Sequence, residues 1–550
     1  MDQFRPTTRR FGGATPRPGG QTLRLLLGSA VVAALALTTQ APGAVAQDAS
    51  PASSPSAAAE PQSGGTLVFA RNQDAQSLNP MVGSADNGSI FVIMQIFDQL
   101  VEVGDSPEPL PGLAESWTSS EDGLTWTFDL REAMFSNGDP VTAEDVKFSL
   151  DRWKDPEINI SYGGLASSVE SVDVIDDRTV QITLNRPDGA FLDNLAMFVA
   201  SIVPKAVVEA VGDEEFSSNP IGSGPFMLQS WNRGERLELV RNPNYWRAPM
   251  PYLDGVVIDF VQDDNTRLLR LEQDEADLAE AIPYAQIERL DAVDGVSVVA
   301  EDVFKWDAIW LNHAVPPLDD PNVRLALNYA TPKEQILESV LHGRAEIANH
   351  IIARVKYWDE SVPAYPYDLE MAQQLMAESS APDGFDLTMI IPAGDSTELQ
   401  MAQVIQAAWA EIGVNVTLEP VDLGTAFGTW LGEDPTAAMS ATFPGSALSS
   451  DTLSDDNLLF VFLVPDTGLR AFGMNYDNPE VVQLIRDGNA TFDEEVRASS
   501  FAQAQALAMA DAPAVPLFFT NALTGVRDEV QGFHTFRMGW WPLWEVWLSE

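Results

Sequence analysis

Apolar and polar residues recur along this chain in two periods, and the switches between them mark its elements. Leu124 to Leu130 alternates apolar with polar side chains, the period-two signature of a half-buried strand. Ser136 to Asp139 reads as a tight turn, and Thr142 stands three residues before Asp145, a capping box with Asp in place of Glu or Gln. Val146, Leu150 and Trp153 then put apolar groups on one face of the helix that follows. Thr66 to Ala70 predicts a first strand and Ile90 to Leu100 a buried helix. Later, Val323, Ala326, Leu327 and Ala330 share one helical face, as do Met401, Val404, Ile405, Ala408 and Ile412. A helix over 398–412 gives way at Gly413 to the alternating run Val414 to Leu418. This order of helix, glycine and strand builds α/β lobes, and no solenoid repeat interrupts it. In the tail, Trp540, Trp541, Trp544 and Trp547 are expected to fill a core or a seam between lobes.

Composition narrows the class. A chain of 550 residues with 45% hydrophobic content can build two or three domains. It has no cysteine, which removes disulfides, thiolate metal sites, cysteine nucleophiles and a lipidated N-terminal cysteine. The net charge of -50, from 81 acidic and 31 basic residues, opposes nucleic-acid binding. The acidity is spread along the chain, as a solvated surface would have it; attraction of cationic solutes is the second reading.

The first residues read as an export leader. Arg5, Arg9, Arg10, Arg17 and Arg24 form a basic region ahead of the apolar run Leu25 to Leu37. Ala44-Val45-Ala46 is a cleavage site, so the leader spans 1–46 and the mature chain begins at Gln47. Thr8-Arg9-Arg10-Phe11 resembles a twin-arginine signal with its aromatic one place early, and the general export route stays open. The Ala/Ser/Pro-rich stretch 47–63 is expected to be a flexible linker.

Catalytic chemistry has little support. His313, His342, His350 and His534 show no metal-ligand spacing, and no Gly-x-Ser-x-Gly elbow is present. Gly222 and Gly224 are followed by a strand-like run, so they read as a tight turn and not as a phosphate loop. No catalytic residue, metal or cofactor is expected.

The block from Gly112 to Trp153 resembles the extracytoplasmic solute-binding proteins of ABC importers that include the dipeptide-, oligopeptide- and nickel-binding members. Gly64-Gly65-Thr66-Leu67, Asn219 to Phe226, Arg241 to Trp246, Leu311 to Leu327, Asp511 to Phe518 and Val530 to Phe533 extend the likeness in family order. The resemblance implies an α/β, two-lobed periplasmic-binding-protein fold of type II, cluster C-like, with an extra subdomain inserted in lobe I. Lobe I would take 64–305 with the insertion at about 112–229, lobe II 306–522, and 523–550 would return to lobe I. It implies capture of a peptide or peptide-like solute by lobe closure and delivery to inner-membrane ABC permease subunits. The receptor would be an exported, periplasmic or extracytoplasmic monomer.

Matched positions nominate ligand contacts. Asp86 and Asn87 follow the first strand, and Trp306, Asp307 and Trp310 precede the Asn312 crossover. Met439, Ser440, Thr442 and Phe443 occupy the loop where peptide-binding relatives hold the peptide's amino terminus with an aspartate. Thr442 stands at the aspartate position, and a neutral hydroxyl makes no charge-assisted bond to an ammonium. Asp451, Asp455 or Asp456 could replace it. The readings kept beside the peptide receptor are a receptor for an oligosaccharide, opine or metal chelate, and a secreted α/β hydrolase.

Overall fold

The computed structural model describes residues 60–83, 86–104, 109–159, 162–354, 356–422, 463–465 and 474–549, with the backbone of strands 441–442 and 447–448. Three sheets organise these residues. The first has seven strands around Thr66–Arg71, which runs parallel to Gly255–Phe260 on one side and to Leu278–Glu280 on the other. Antiparallel strands complete it, among them Val296–Glu301 and Ala522–Arg527. The second sheet pairs Lys305–Leu311 with Ala514–Phe519 antiparallel, and Phe385–Pro392 with Val414–Val421 parallel. The chain leaves the first sheet between Glu301 and Lys305 and returns between Phe519 and Ala522. The third sheet is a four-stranded antiparallel unit of Ala114–Ser119, Thr125–Leu130, Val169–Asp176 and Thr179–Leu184.

Local chemistry explains these elements. In Thr66–Arg71 both alternating sets are largely buried: Leu67 and Phe69 join one apolar cluster, Ala70 another. That is the burial of a central strand covered on both faces. Thr125–Leu130 is covered on one face only, with Phe128 and Leu130 buried and Asp129 exposed. The helix Ala143–Trp153 begins as its sequence suggests: the Asp145 carboxylate accepts from the Thr142 backbone N–H at 3.0 Å and from its hydroxyl at 2.7 Å. Val146, Leu150 and Trp153 are buried on its inner face.

The helix expected over Ile90 to Leu100 instead spans Asn87–Ile96. The Gly224 N–H binds the Ile96 carbonyl at 2.8 Å, a group that a longer helix would use for Leu100. This close approach requires the glycine pair: a Cβ at Gly222 would lie 2.1 Å from the Ile96 carbonyl oxygen. Strand Phe226–Asn232 follows the turn. The second helix–strand unit is Ser396–Ala410, then Gly413 at φ +82°, then Val414–Val421. Gly413 supplies the left-handed residue that ends the helix. The four tail tryptophans are all buried. Trp541 packs edge-on against Phe69 and Phe91 with centroids 4.6 and 4.8 Å apart.

Candidate ligand cleft

In α/β sheets, ligands collect beyond the carboxyl ends of parallel strands, where the backbone stops pairing and loops diverge. Here three parallel strands of the first sheet end in Arg71, Phe260 and Glu280, and a strand of the second ends in Pro392. All four residues line one cleft of about 430 Å³. The second sheet also supplies Lys305 and Asp307, and the first supplies Ala522 to Thr524. The cleft is therefore walled by both sheets. The lobes touch at its edge: the Ser396 hydroxyl donates to Asp264, and a Cβ at Gly394 would lie 2.7 Å from the Gln262 carbonyl.

Arg71 organises one wall. Its Nε donates to Glu280 Oε2 at 3.0 Å, and its guanidinium lies 4.6 Å over Trp541 and 5.2 Å from the Phe91 centroid. Glu280 Oε1 accepts the Asn72 N–H at 2.9 Å. Arg267 braces the neighbouring loops by donating to the carbonyls of Val261, Gln262, Glu280 and Ala281. From the second sheet, Asp307 is 3% exposed and accepts from the Thr520 hydroxyl at 3.1 Å. Burial first, and then the charge of Asp307, push the Tyr284 hydroxyl well above the usual tyrosine range. Tyr284 therefore lines the cleft as a neutral phenol.

The expected contacts divide. Asn87 and Asp307 line the cleft. Asp86 is buried as the N-cap of helix Asn87–Ile96, accepting from the Ser89 N–H at 2.8 Å and its hydroxyl at 2.7 Å. Burial raises its carboxyl to about 6, although Ser89 and Arg71 pull the other way. Trp306 and Trp310, expected to grip the solute, are 1% and 3% exposed and belong to the apolar core, outside the described lining. Their strand is covered on both faces, so alternation sends both indoles into the core. The backbone of Thr442 pairs with Trp310 and with Ile390. Met439, Ser440 and Phe443 lie outside the described residues, as do Asp451, Asp455 and Asp456.

Sequence reasoning missed Arg71, Glu280 and Trp541. Arg71 and Glu280 are 209 residues apart, and no local period joins them. The tail tryptophans were visible, but nothing in their spacing selected Trp541 as a wall of the cleft. Among the described residues, no group of three or more His, Cys, Asp or Glu side chains is arranged to hold a metal ion. His313 Nε2 instead meets the Pro513 carbonyl at 3.2 Å, and His350 Nε2 meets that of Asp359 at 2.9 Å.

Residues 108–459 match the model of the bacterial extracellular solute-binding proteins, family 5 Middle. The dipeptide-binding protein of Escherichia coli K12 is 30% identical over 504 residues, covering 85% of this chain and 92% of that protein. Heme-binding protein A of Haemophilus influenzae is 29% identical over 513 residues, covering 86% and 91%. Among solved structures, the Helicobacter pylori periplasmic binding protein DppA in complex with peptide STSA superposes with a TM-score of 0.82 at 27% identity. It covers 89% of this chain and 99% of its own. AgaA of A. tumefaciens R10 in complex with agropinic acid gives 0.80 at 25% identity, over 88% and 99%.

Proposed function

The chain belongs to family 5 of the bacterial extracellular solute-binding proteins, and on that footing we propose that it captures a peptide or peptide-like solute in the cleft between its sheets and delivers it to an ABC permease. The observation that carries this reading is the convergence of strand ends from both sheets on one cleft of about 430 Å³. Such a site needs apolar walls and a few aimed polar groups. Phe91, Phe260 and Trp541 supply the first; Arg71, Glu280 and Asp307 supply the second. Closure of the lobes over a bound solute would shield it from water. The protein acts outside the cytoplasm after its leader is removed, works as a monomer, and performs no covalent chemistry.

A receptor for a non-peptide solute is the second reading. Thr442 favours it, because that position lacks the carboxylate used to hold a peptide ammonium. Thermal-shift screening separates the two. A solute at a hundred times its Kd adds about 2.7 kcal/mol of stability. Shifts from small peptides are expected; shifts confined to sugars, opines or chelates would overturn the peptide reading.

A further inference from the structure

The chain passes from the first sheet to the second at 301–305 and back at 519–522, so the residues between move as one body when the cleft opens. The strands of the third sheet lie between Thr66–Arg71 and Phe226–Asn232, both of the first sheet, and so travel with the other body. This inserted sheet nevertheless touches the second body, at residues outside the described lining of the cleft. The Gly189 N–H donates to the Asn489 carbonyl at 3.4 Å. A Cβ at Gly189 would lie 1.0 Å from Arg497 Nη1 and 2.2 Å from its Cζ, so the guanidinium occupies the place of a side chain. Gly189 is not in the left-handed region; the position needs glycine for this space and not for its backbone. In the turn between Ala114–Ser119 and Thr125–Leu130, a Cβ at Gly123 would lie 2.5 Å from the Phe492 ring.

Both halves of this contact are held in place. The Asp188 carboxylate accepts from the Ser168 hydroxyl and from the Ala190 N–H at 3.0 Å, which fixes the loop around Gly189. Arg497 is 2% exposed, its Nε donates to the Tyr357 hydroxyl at 2.9 Å, and its guanidinium lies 5.3 and 5.8 Å from the Tyr357 and Phe501 centroids. We propose that the inserted sheet is a latch: Arg497 of the second body docks in the notch at Gly189 when the cleft closes, and Phe492 closes over Gly123 beside it. The proposal rests on the reading that the lobes close over a solute. A contact made in the closed form alone shifts the population toward that form. Solute affinity rises with the fraction of molecules that are closed, so the latch tunes binding without touching the solute.

The chain has no cysteine, so spin labels can be placed singly on each body. Ile175→Cys on the third sheet and Met371→Cys on helix Leu369–Ala377 replace exposed residues. Pulsed dipolar spectroscopy of the labelled protein then reports the separation of the two bodies, without solute and with a tryptic digest of casein. In at least one of the two conditions the short-distance fraction should fall about fivefold or more in Gly189→Ala, because the added Cβ meets Arg497 in the closed form alone. Phe492→Ala, which trims an exposed ring, should lower the same fraction, so a poorly folding Gly189→Ala does not protect the proposal. Equal short-distance fractions in the wild type and both variants, with and without digest, overturn the latch. If the digest still raises that fraction in the wild type, the closure reading stands; if it does not, both fall. Variants that open while the digest changes no protein support the latch and overturn the peptide reading. Opening in Phe492→Ala alone removes the Gly189 notch from the latch.

Discussion

Replacing Arg71 by methionine leaves Glu280 without its cation. Arg71 is 2% exposed and the Glu280 side chain 12%, so little water reaches either. The substitution removes the 3.0 Å ion pair and the stacking on Trp541 and Phe91. Methionine replaces much of the lost volume, so the cavity contribution is small. The cost is then mainly that of a buried carboxylate stripped of its partner, about 3–5 kcal/mol. The Asn72 N–H still reaches Glu280 Oε1, which favours the lower half of that range. Unfolding entropy is about 2.1 cal/mol/K per residue, so the roughly 440 described residues give about 0.9 kcal/mol/K. Calorimetry should therefore show Tm falling by about 3–4 °C if the body unfolds in one transition. The double variant Arg71→Met/Glu280→Gln should recover at least half of the loss, because the stranded charge is gone. A single variant that costs under about 1 kcal/mol, or a double variant no better than the single, refutes this account of the wall.

Four further substitutions probe the scaffold. Gly222→Ala drives a Cβ into the Ile96 carbonyl and should cost about 1–3 kcal/mol in urea denaturation; Gly163→Ala, whose Cβ would meet the Trp153 carbonyl at 3.4 Å, should cost under about 1 kcal/mol, and equal effects would contradict the close-approach argument. Burial, then the nearby Arg324 charge, lowers the His313 imidazole to about 4. The unfolded chain therefore binds a proton between about pH 6.5 and 4 that the folded chain refuses, and stability falls by roughly 2–4 kcal/mol as pH drops through that window. His313→Gln should flatten this part of the profile, and an unchanged slope would exclude His313 as its source. Burial lowers Lys333 to about 8, and its Nζ has no hydrogen-bond partner among the described residues. Lys333→Met should raise stability at pH 7 by about 1–3 kcal/mol, with the gain shrinking toward pH 10; a lower urea midpoint would refute it.

The parts legible in the sequence are those whose cause is local. The alternation of Thr125–Leu130, the reach of Asp145 back to Thr142 and the left-handed Gly413 are each decided within a few residues. Legibility fails where a distant segment decides. The helix from Asn87 stops at Ile96 because Gly224, more than a hundred residues later, takes the Ile96 carbonyl. The family likeness points Trp306 and Trp310 at the ligand, but a strand covered on both faces buries both of its side-chain sets, and only Asp307 among the three reaches the described lining. The Arg71 wall is assembled from the first strand, the strand Leu278–Glu280 and the tail, and no spacing rule connects the three.

The central claim is that solute is held in the cleft between the sheets. Isothermal titration of a peptide hit against the wild type and against Thr397→Trp tests it most directly, because Thr397 lines the cleft and an indole there fills space the solute needs. The wild type should bind with one-to-one stoichiometry, and Thr397→Trp should lose that binding while keeping its melting temperature. Equal affinity in both proteins would place the solute elsewhere and contradict the account.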